Sequence, residues 1–169
     1  SCDELHRIPT WTGELYFEFH RGTLTSVPMI KKYNRDAEIL LQEAETVNVI
    51  SNILFNNKYE SELYEKNWKR VLLNQFHDVL PGSSIEKVYI DAKEILEKVR
   101  EEVTTNKNNQ LDMIFKNIKG NGLAVYNPNG FITDGVVNVN GKTEIVKDIP
   151  SYGYKLIKQN KENKPLFIK

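Results

Sequence analysis

The sequence predicts an α+β chain in which an antiparallel three-helix bundle is followed by a small, incomplete antiparallel β portion. Three observations carry this expectation. Apolar residues recur every three or four positions through residues 28–104, the spacing of one helix face. Through residues 122–169 they alternate instead, as in half-buried strands. Charge divides along the same line: residues 119–169 hold eight Lys against Asp134, Glu144, Asp148 and Glu162, a net of +4, which leaves −4 on residues 1–118. The boundary falls near residues 106–121.

Residues 1–27 are rich in aromatics (Trp11, Tyr16, Phe17, Phe19) and punctuated by Pro9, Gly13 and Gly22, so they read as extended chain and loops. Pro28 suits a first helical turn, and Ile30, Tyr33, Ala37, Leu40, Ala44, Val47 and Leu54 then keep a 3-4 spacing broken only at Ser51. One helix over 28–56 follows. Asn56-Asn57-Lys58 interrupts it, and Tyr64, Trp68, Val71, Leu72, Gln75 and Phe76 share one face of a second helix over 60–77, stopped by Pro81-Gly82. Ser83 with Glu86 three residues later has the form of a capping box, opening a third helix with Ile85, Val88, Ala92, Ile95, Val99 and Val103. The polar run 104–109 predicts a break or frayed turn, with helix resuming over 111–118. Short strands are expected at 123–126, 136–139, 143–146 and 154–157, joined by the Asn127–Gly130 turn, the hairpin dipeptide Asn140-Gly141, and the Pro150 and Gly153 turn.

At 169 residues the chain can bury about 70% of its unfolded surface without cross-links. Its 23 basic and 23 acidic residues cancel, which argues against a nucleic-acid partner. No apolar run approaches the roughly 18 residues a membrane span needs, so no membrane is expected. The single cysteine, Cys2, excludes an internal disulfide framework and a Cys-based zinc cluster. No signal-peptide core precedes the aromatics, and a cytoplasmic setting is expected. Ser1 is no initiator and residues 164–169 look like the start of a strand, so both ends look cut.

Two segments carry candidate chemistry. His77 and Asp78 stand side by side where the second helix should end. An imidazole beside a carboxylate can ligate zinc, position a sugar hydroxyl, or hold an acid and base together. On spacing alone, the pair reads first as a cap for the helix's open carbonyls, where a cation is favoured. In the other segment an extended chain over 14–20 would put Glu14, Tyr16, Glu18 and His20 on one face, suited to a carbohydrate or cation, although any exposed strand face looks the same. Four residues of strand separate Glu14 from Glu18 by about 13 Å, too far for the roughly 5–9.5 Å of a glycosidase pair. HxD, HxH and HExxH ligand pairs, phosphate loops, a GxSxG elbow and a Cys nucleophile are all missing from the sequence, so His77 and Asp78 do not complete a site alone.

Read together, Trp11-Thr12-Gly13-Glu14-Leu15-Tyr16-Phe17-Glu18-Phe19-His20-Arg21-Gly22-Thr23-Leu24-Thr25-Ser26, then Lys31-Lys32-Tyr33-Asn34-Arg35, then Leu72-Leu73-Asn74-Gln75-Phe76-His77-Asp78-Val79-Leu80-Pro81-Gly82-Ser83-Ser84 closely resemble the retaining α-mannosidases of glycoside hydrolase family 38. Val125-Tyr126-Asn127-Pro128-Asn129-Gly130 and Asp148-Ile149-Pro150-Ser151-Tyr152-Gly153-Tyr154 resemble the start of their β-rich carboxy-terminal part. The resemblance implies a fragment: residues 1–27 connect from a missing amino-terminal catalytic barrel, 28–119 form the middle bundle, and 120–169 begin the β-sandwich. It implies His77 as one zinc ligand, Asp78 as a contact to mannose hydroxyls, and His20 or Arg21 facing the substrate. The nucleophile, the acid and an HxD ligand pair would belong to the barrel, and the substrate would be an α-mannoside glycan. Phe76-His77 and Pro81-Gly82-Ser83-Ser84 resemble the cytosolic and prokaryotic branch. A self-standing bundle that binds a protein or glycan without catalysis is the alternative.

Overall fold

A computed structural model describes residues 9–13, 15, 20–120, 122–139 and 141–157. Cys2, Glu14, Tyr16, Phe17, Glu18, Phe19, Asn140 and the strand expected at 164–169 lie outside the described residues. Among the described residues three helices come first, α1 (Pro28–Phe55), α2 (Ser61–Asn74) and α3 (Glu86–Lys116), followed by strands β1 (Leu123–Tyr126), β2 (Thr133–Val139), β3 (Lys142–Ile149) and β4 (Tyr154–Ile157). The α+β expectation holds.

The bundle core is one apolar cluster drawn from all three helices. Ala37, Leu41 and Ala44 of α1 meet Tyr64 and Val71 of α2 and Leu96, Val99 and Val103 of α3. The 3-4 spacing of these residues is why the segments are helices: each aligns an apolar stripe that is removed from water only against the other two. Pro28 opens α1 at its first turn as expected, and Asn56 closes it in the left-handed conformation. The apparent flaw at Ser51 is a buried polar link, its Oγ accepting from Asn57 Nδ2 at 2.7 Å.

Three expectations are corrected. α2 stops at Asn74 rather than 77, and Leu72 and Phe76 are exposed rather than core. The capping box does not form: Ile85 occupies the cap position of α3 with no side-chain cap bond, while the Ser84 N–H is satisfied by Tyr89 Oη at 2.7 Å. The polar run 104–109 does not break α3. Asn106 Oδ1 lies 2.7 Å from the buried Tyr64 hydroxyl, Lys107 Nζ lies 2.8 Å from Glu43 Oε2, and Gln110 and Leu111 are buried beyond them. Tertiary contact outweighs the weak local propensity of Thr and Asn.

Glu102 joins α3 to α2 through Arg70 (3.0 Å), Lys66 (3.1 Å) and Asn67 (3.2 Å). Burial alone would raise its pKa. The hydrogen bonds from Arg70, Lys66 and Asn67 outweigh burial and hold the carboxyl below its ordinary value of 4.5. A depressed carboxylate stabilises the fold above its unfolded pKa, and the stabilisation is lost as pH falls through the folded one. Glu102→Gln is therefore expected to lower Tm at pH 7 and to converge with the wild type as pH falls through the depressed folded pKa. Melting curves across pH check this; an undiminished gap in acid contradicts it.

The strands form two antiparallel pairs, β1 with β4 and β2 with β3. Leu123, Val125, Val137, Val139, Val146 and Ile149 make their shared core. A bulge interrupts the second pair, where Asp134 faces both Lys147 and Asp148. Asp148 takes φ 52°, and its N–H donates to Asp134 Oδ1 at 2.9 Å. Asn127 is buried where the two pairs meet, its Nδ2 within 2.8 Å of Phe131 O, 3.1 Å of Ile149 O and 3.0 Å of Pro150 O. Tyr126 packs on Val47, Leu111 and Ile114, which seats the strands where α1 and α3 end. Burial, then the charges of Glu43 and Tyr152, push the Tyr126 phenol up to about 12.

Candidate functional site

Antiparallel packing puts the start of α1, the end of α2 and the start of α3 at one end of the bundle. α3 is about 45 Å long at 1.5 Å per residue, so this end is remote from the strands. His20, Arg21, His77 and Asp78 all belong to it.

His77 and Asp78 follow α2 rather than ending it. The N–H of Gln75 closes the helix on the carbonyls of Val71 and Leu72, and that of Phe76 bonds to Leu73 O at 3.3 Å. Main-chain groups cap α2, which overturns the reading of the His-Asp pair as its cap. Beyond the helix the chain turns sharply: Phe76 O accepts from the N–H groups of Val79 (2.8 Å) and Leu80 (3.1 Å), and Val79 O accepts from Gly82 (3.1 Å). His77 and Asp78 occupy the outside of that turn. His77 is 79% exposed and Asp78 55%, with His77 Nε2 lying 3.5 Å from Asp78 Oδ2. The Phe76 ring lies 4.2 Å from the imidazole, tilted 51°, and limits how far the imidazole can swing.

The turn is built on contacts from elsewhere. Gln75 Nε2 donates to Asn34 Oδ1 (3.1 Å) and Glu38 Oε1 (2.8 Å) of α1. Lys31 Nζ donates to Ser26 O (2.5 Å) and Leu80 O (2.9 Å), and Ser26 Oγ donates to Gly82 O (3.1 Å). Ser84 Oγ donates to Asp78 O at 2.5 Å. Lys31, Ser26, Gln75 and Ser84 hold the site together, and spacing could not find them: Lys31 and Leu80 are 49 positions apart, and a lysine in a first helical turn carries no local sign that it faces inward.

His20 and Arg21 are exposed at the head of a turn over 20–26. The Thr23 N–H donates to His20 O at 3.2 Å, so His20 opens this turn. The expected stripe with Glu14, Tyr16 and Glu18 lies outside the described residues. The turn reaches the His77 segment through its last residue, Ser26.

As a metal site, the turn offers an outward imidazole with a carboxylate beside it, a donor type suited to zinc. Among the described residues no group of three or more His, Cys, Asp or Glu is placed to hold an ion. What is present fits one contributed ligand. A carboxylate with its oxygens in solvent can accept charge-assisted hydrogen bonds from hydroxyl donors, so the two side chains form a polar edge able to meet a metal and a polyol.

Residues 18–114, more than half of the chain, match the family model of the alpha mannosidase middle domain. The chain belongs to that family. The chain is 48% identical over 103 residues to an alpha-mannosidase of Saccharomyces cerevisiae, covering 59% of this chain and 10% of the relative. It is 40% identical over 126 residues to alpha-mannosidase G of Dictyostelium discoideum, covering 73% and 11%. Among solved structures, an alpha-mannosidase from Enterococcus faecalis V583 superposes with TM-score 0.65 at 18% identity, over 71% of this chain and 14% of that one. A glycosyl hydrolase family 38 protein from Enterococcus faecalis gives TM-score 0.63 at 17% identity, over 82% and 17%. These structural likenesses show the fold. The chain thus spans about a tenth of the length of the relatives it matches. No helix among the described residues is long and apolar enough to cross a membrane.

Proposed function

We propose that this chain serves as the middle section of a zinc-dependent, retaining α-mannosidase that removes terminal α-D-mannose from glycans or oligosaccharides in the cytoplasm. The observation that carries the proposal is the exposed His77-Asp78 turn, held outward at one end of the bundle inside the stretch that matches the family. His77 contributes one zinc ligand through a ring nitrogen. Asp78 accepts hydrogen bonds from mannose hydroxyls, and His20 and Arg21 face the sugar from the neighbouring turn. A catalytic barrel elsewhere in the full-length enzyme brings the nucleophile, the acid and the remaining ligands. Zinc, when bound, supplies a Lewis acid for sugar hydroxyls. The middle domain's part is to present His77 and Asp78 in fixed register, so that metal and sugar are met by one rigid edge.

Chelation of the full-length enzyme is expected to abolish hydrolysis of an aryl α-mannoside, with zinc restoring it. The 169-residue chain alone, with one ligand to offer, should show no rise in Tm with zinc. Activity that survives complete metal removal would overturn the metal role.

A further inference from the structure

The turn bearing His77 and Asp78 is fastened on both sides to the first turns of α1. Before it, Gln75 reaches Asn34 and Glu38. Behind it, the Lys31 ammonium bridges two main-chain carbonyls, Ser26 O at 2.5 Å and Leu80 O at 2.9 Å. Among the described residues Lys155 also donates to a main-chain carbonyl, Lys147 O at 2.6 Å, but to one rather than two. Lys32, Lys69 and Lys87 each pair with a carboxylate one helical turn away on an exposed face. Lys31 is half-buried, and burial lowers its pKa from the ordinary value, as for an ammonium partly withdrawn from water.

Strain beside the bridge supports a positioning role. Val27 stands between Ser26 and Pro28 with φ 44° and ψ 59°. A β-branched residue in the left-handed region is strained and persists only where its surroundings over-determine it. Those surroundings include the Ser26 contact to Gly82 before it and the Lys31 contact to Ser26 after it. Gly82 closes the cradle, since a Cβ there would lie 2.6 Å from Ser26 Oγ.

We infer that Lys31 is a positioning residue for metal and mannose binding: by fixing the Leu80 carbonyl against Ser26, its ammonium sets where His77 and Asp78 stand. The inference rests on the function proposed above. Lys31 acts through the turn, without touching substrate.

Hydrogen exchange by mass spectrometry on the full-length enzyme reads the cradle directly, because the amides of Val79, Leu80 and Gly82 are bonded within the turn. Lys31→Met is expected to speed exchange there about tenfold or more while core amides of α1 and α3 keep their rates. Zinc affinity by chelator competition and kcat/KM for an aryl α-mannoside should each fall by about 10–100-fold, the range for groups that orient a metal ligand. Lys31→Arg, which keeps a charged donor, should recover most of both. If Lys31→Met unfolds the bundle, Ser26→Ala, which removes only the bond to Gly82, is expected to show the same exchange signature. Unchanged exchange in the turn overturns the inference. So does faster exchange with zinc affinity intact, provided His77→Ala loses the metal. If His77→Ala keeps both metal and turnover, the proposed function itself fails, and the inference falls with it.

Discussion

His77→Ala in the full-length enzyme is expected to lower kcat/KM for an α-mannoside by more than 100-fold, since groups that merely orient a metal ligand are already worth about 10–100-fold. The substitution leaves the fold alone. His77 is 79% exposed on the outside of a turn whose bonds run through main-chain atoms of Phe76, Val79, Leu80 and Gly82, so Tm should hold while zinc content drops. Asp78→Asn separates the two roles. It preserves shape and the carbonyl that Ser84 binds, removes the charge that attracts sugar hydroxyls, and should weaken substrate binding with zinc retained. Metal analysis, Tm and steady-state kinetics on the two variants check this. Loss of stability in parallel with activity would mean that His77 is structural.

Gly82→Ala is expected to destabilise the chain by about 2–3 kcal/mol, combining left-handed backbone strain with a lost hydrogen bond. Gly82 has φ +87°, and an added Cβ would meet Ser26 Oγ at 2.6 Å, Ser26 Cβ at 2.8 Å and Ser26 O at 2.9 Å. Two of these atoms are backbone or near it and have no rotamer by which to retreat. The turn must move off α1, taking the Ser26 and Lys31 bonds with it. Gly141→Ala is the matched control: φ is +78° but nothing lies within 4 Å, so strain alone, about 1 kcal/mol, is expected there. Denaturant unfolding of both variants tests the difference. Equal losses would show that the close approach to Ser26 carries no energy.

The three amphipathic segments were legible because burial imposes a period that survives in the sequence. The core residues Ala37, Ala44, Tyr64, Val71, Val99 and Val103 all fall on it. What was illegible depends on partners distant along the chain. Thr104 to Asn109 read as a break because Thr and Asn have weak helix propensity, whereas Tyr64 and Glu43 supply the contacts that keep the helix going. Ser83 and Glu86 matched a capping box, yet the chain reaches α3 through an extended Ile85, with Ser84 tied back to Asp78 and Tyr89. At the candidate site, His77 and Asp78 stood out as adjacent polar groups before a Pro-Gly turn. Ser26 and Lys31 lie within the segments that carry the family resemblance, but their contacts to the turn were illegible, because a main-chain carbonyl is present at every residue and its use as an acceptor leaves no mark on the sequence.

The central claim is that this bundle end forms one wall of a zinc site. Anomalous scattering at the zinc edge, collected from crystals of the full-length enzyme, tests it most directly. The account predicts a single peak within bonding distance, roughly 2.0–2.1 Å, of a His77 ring nitrogen, with Asp78 on the sugar side. A zinc peak whose ligands all lie elsewhere, with His77 in solvent, would contradict it.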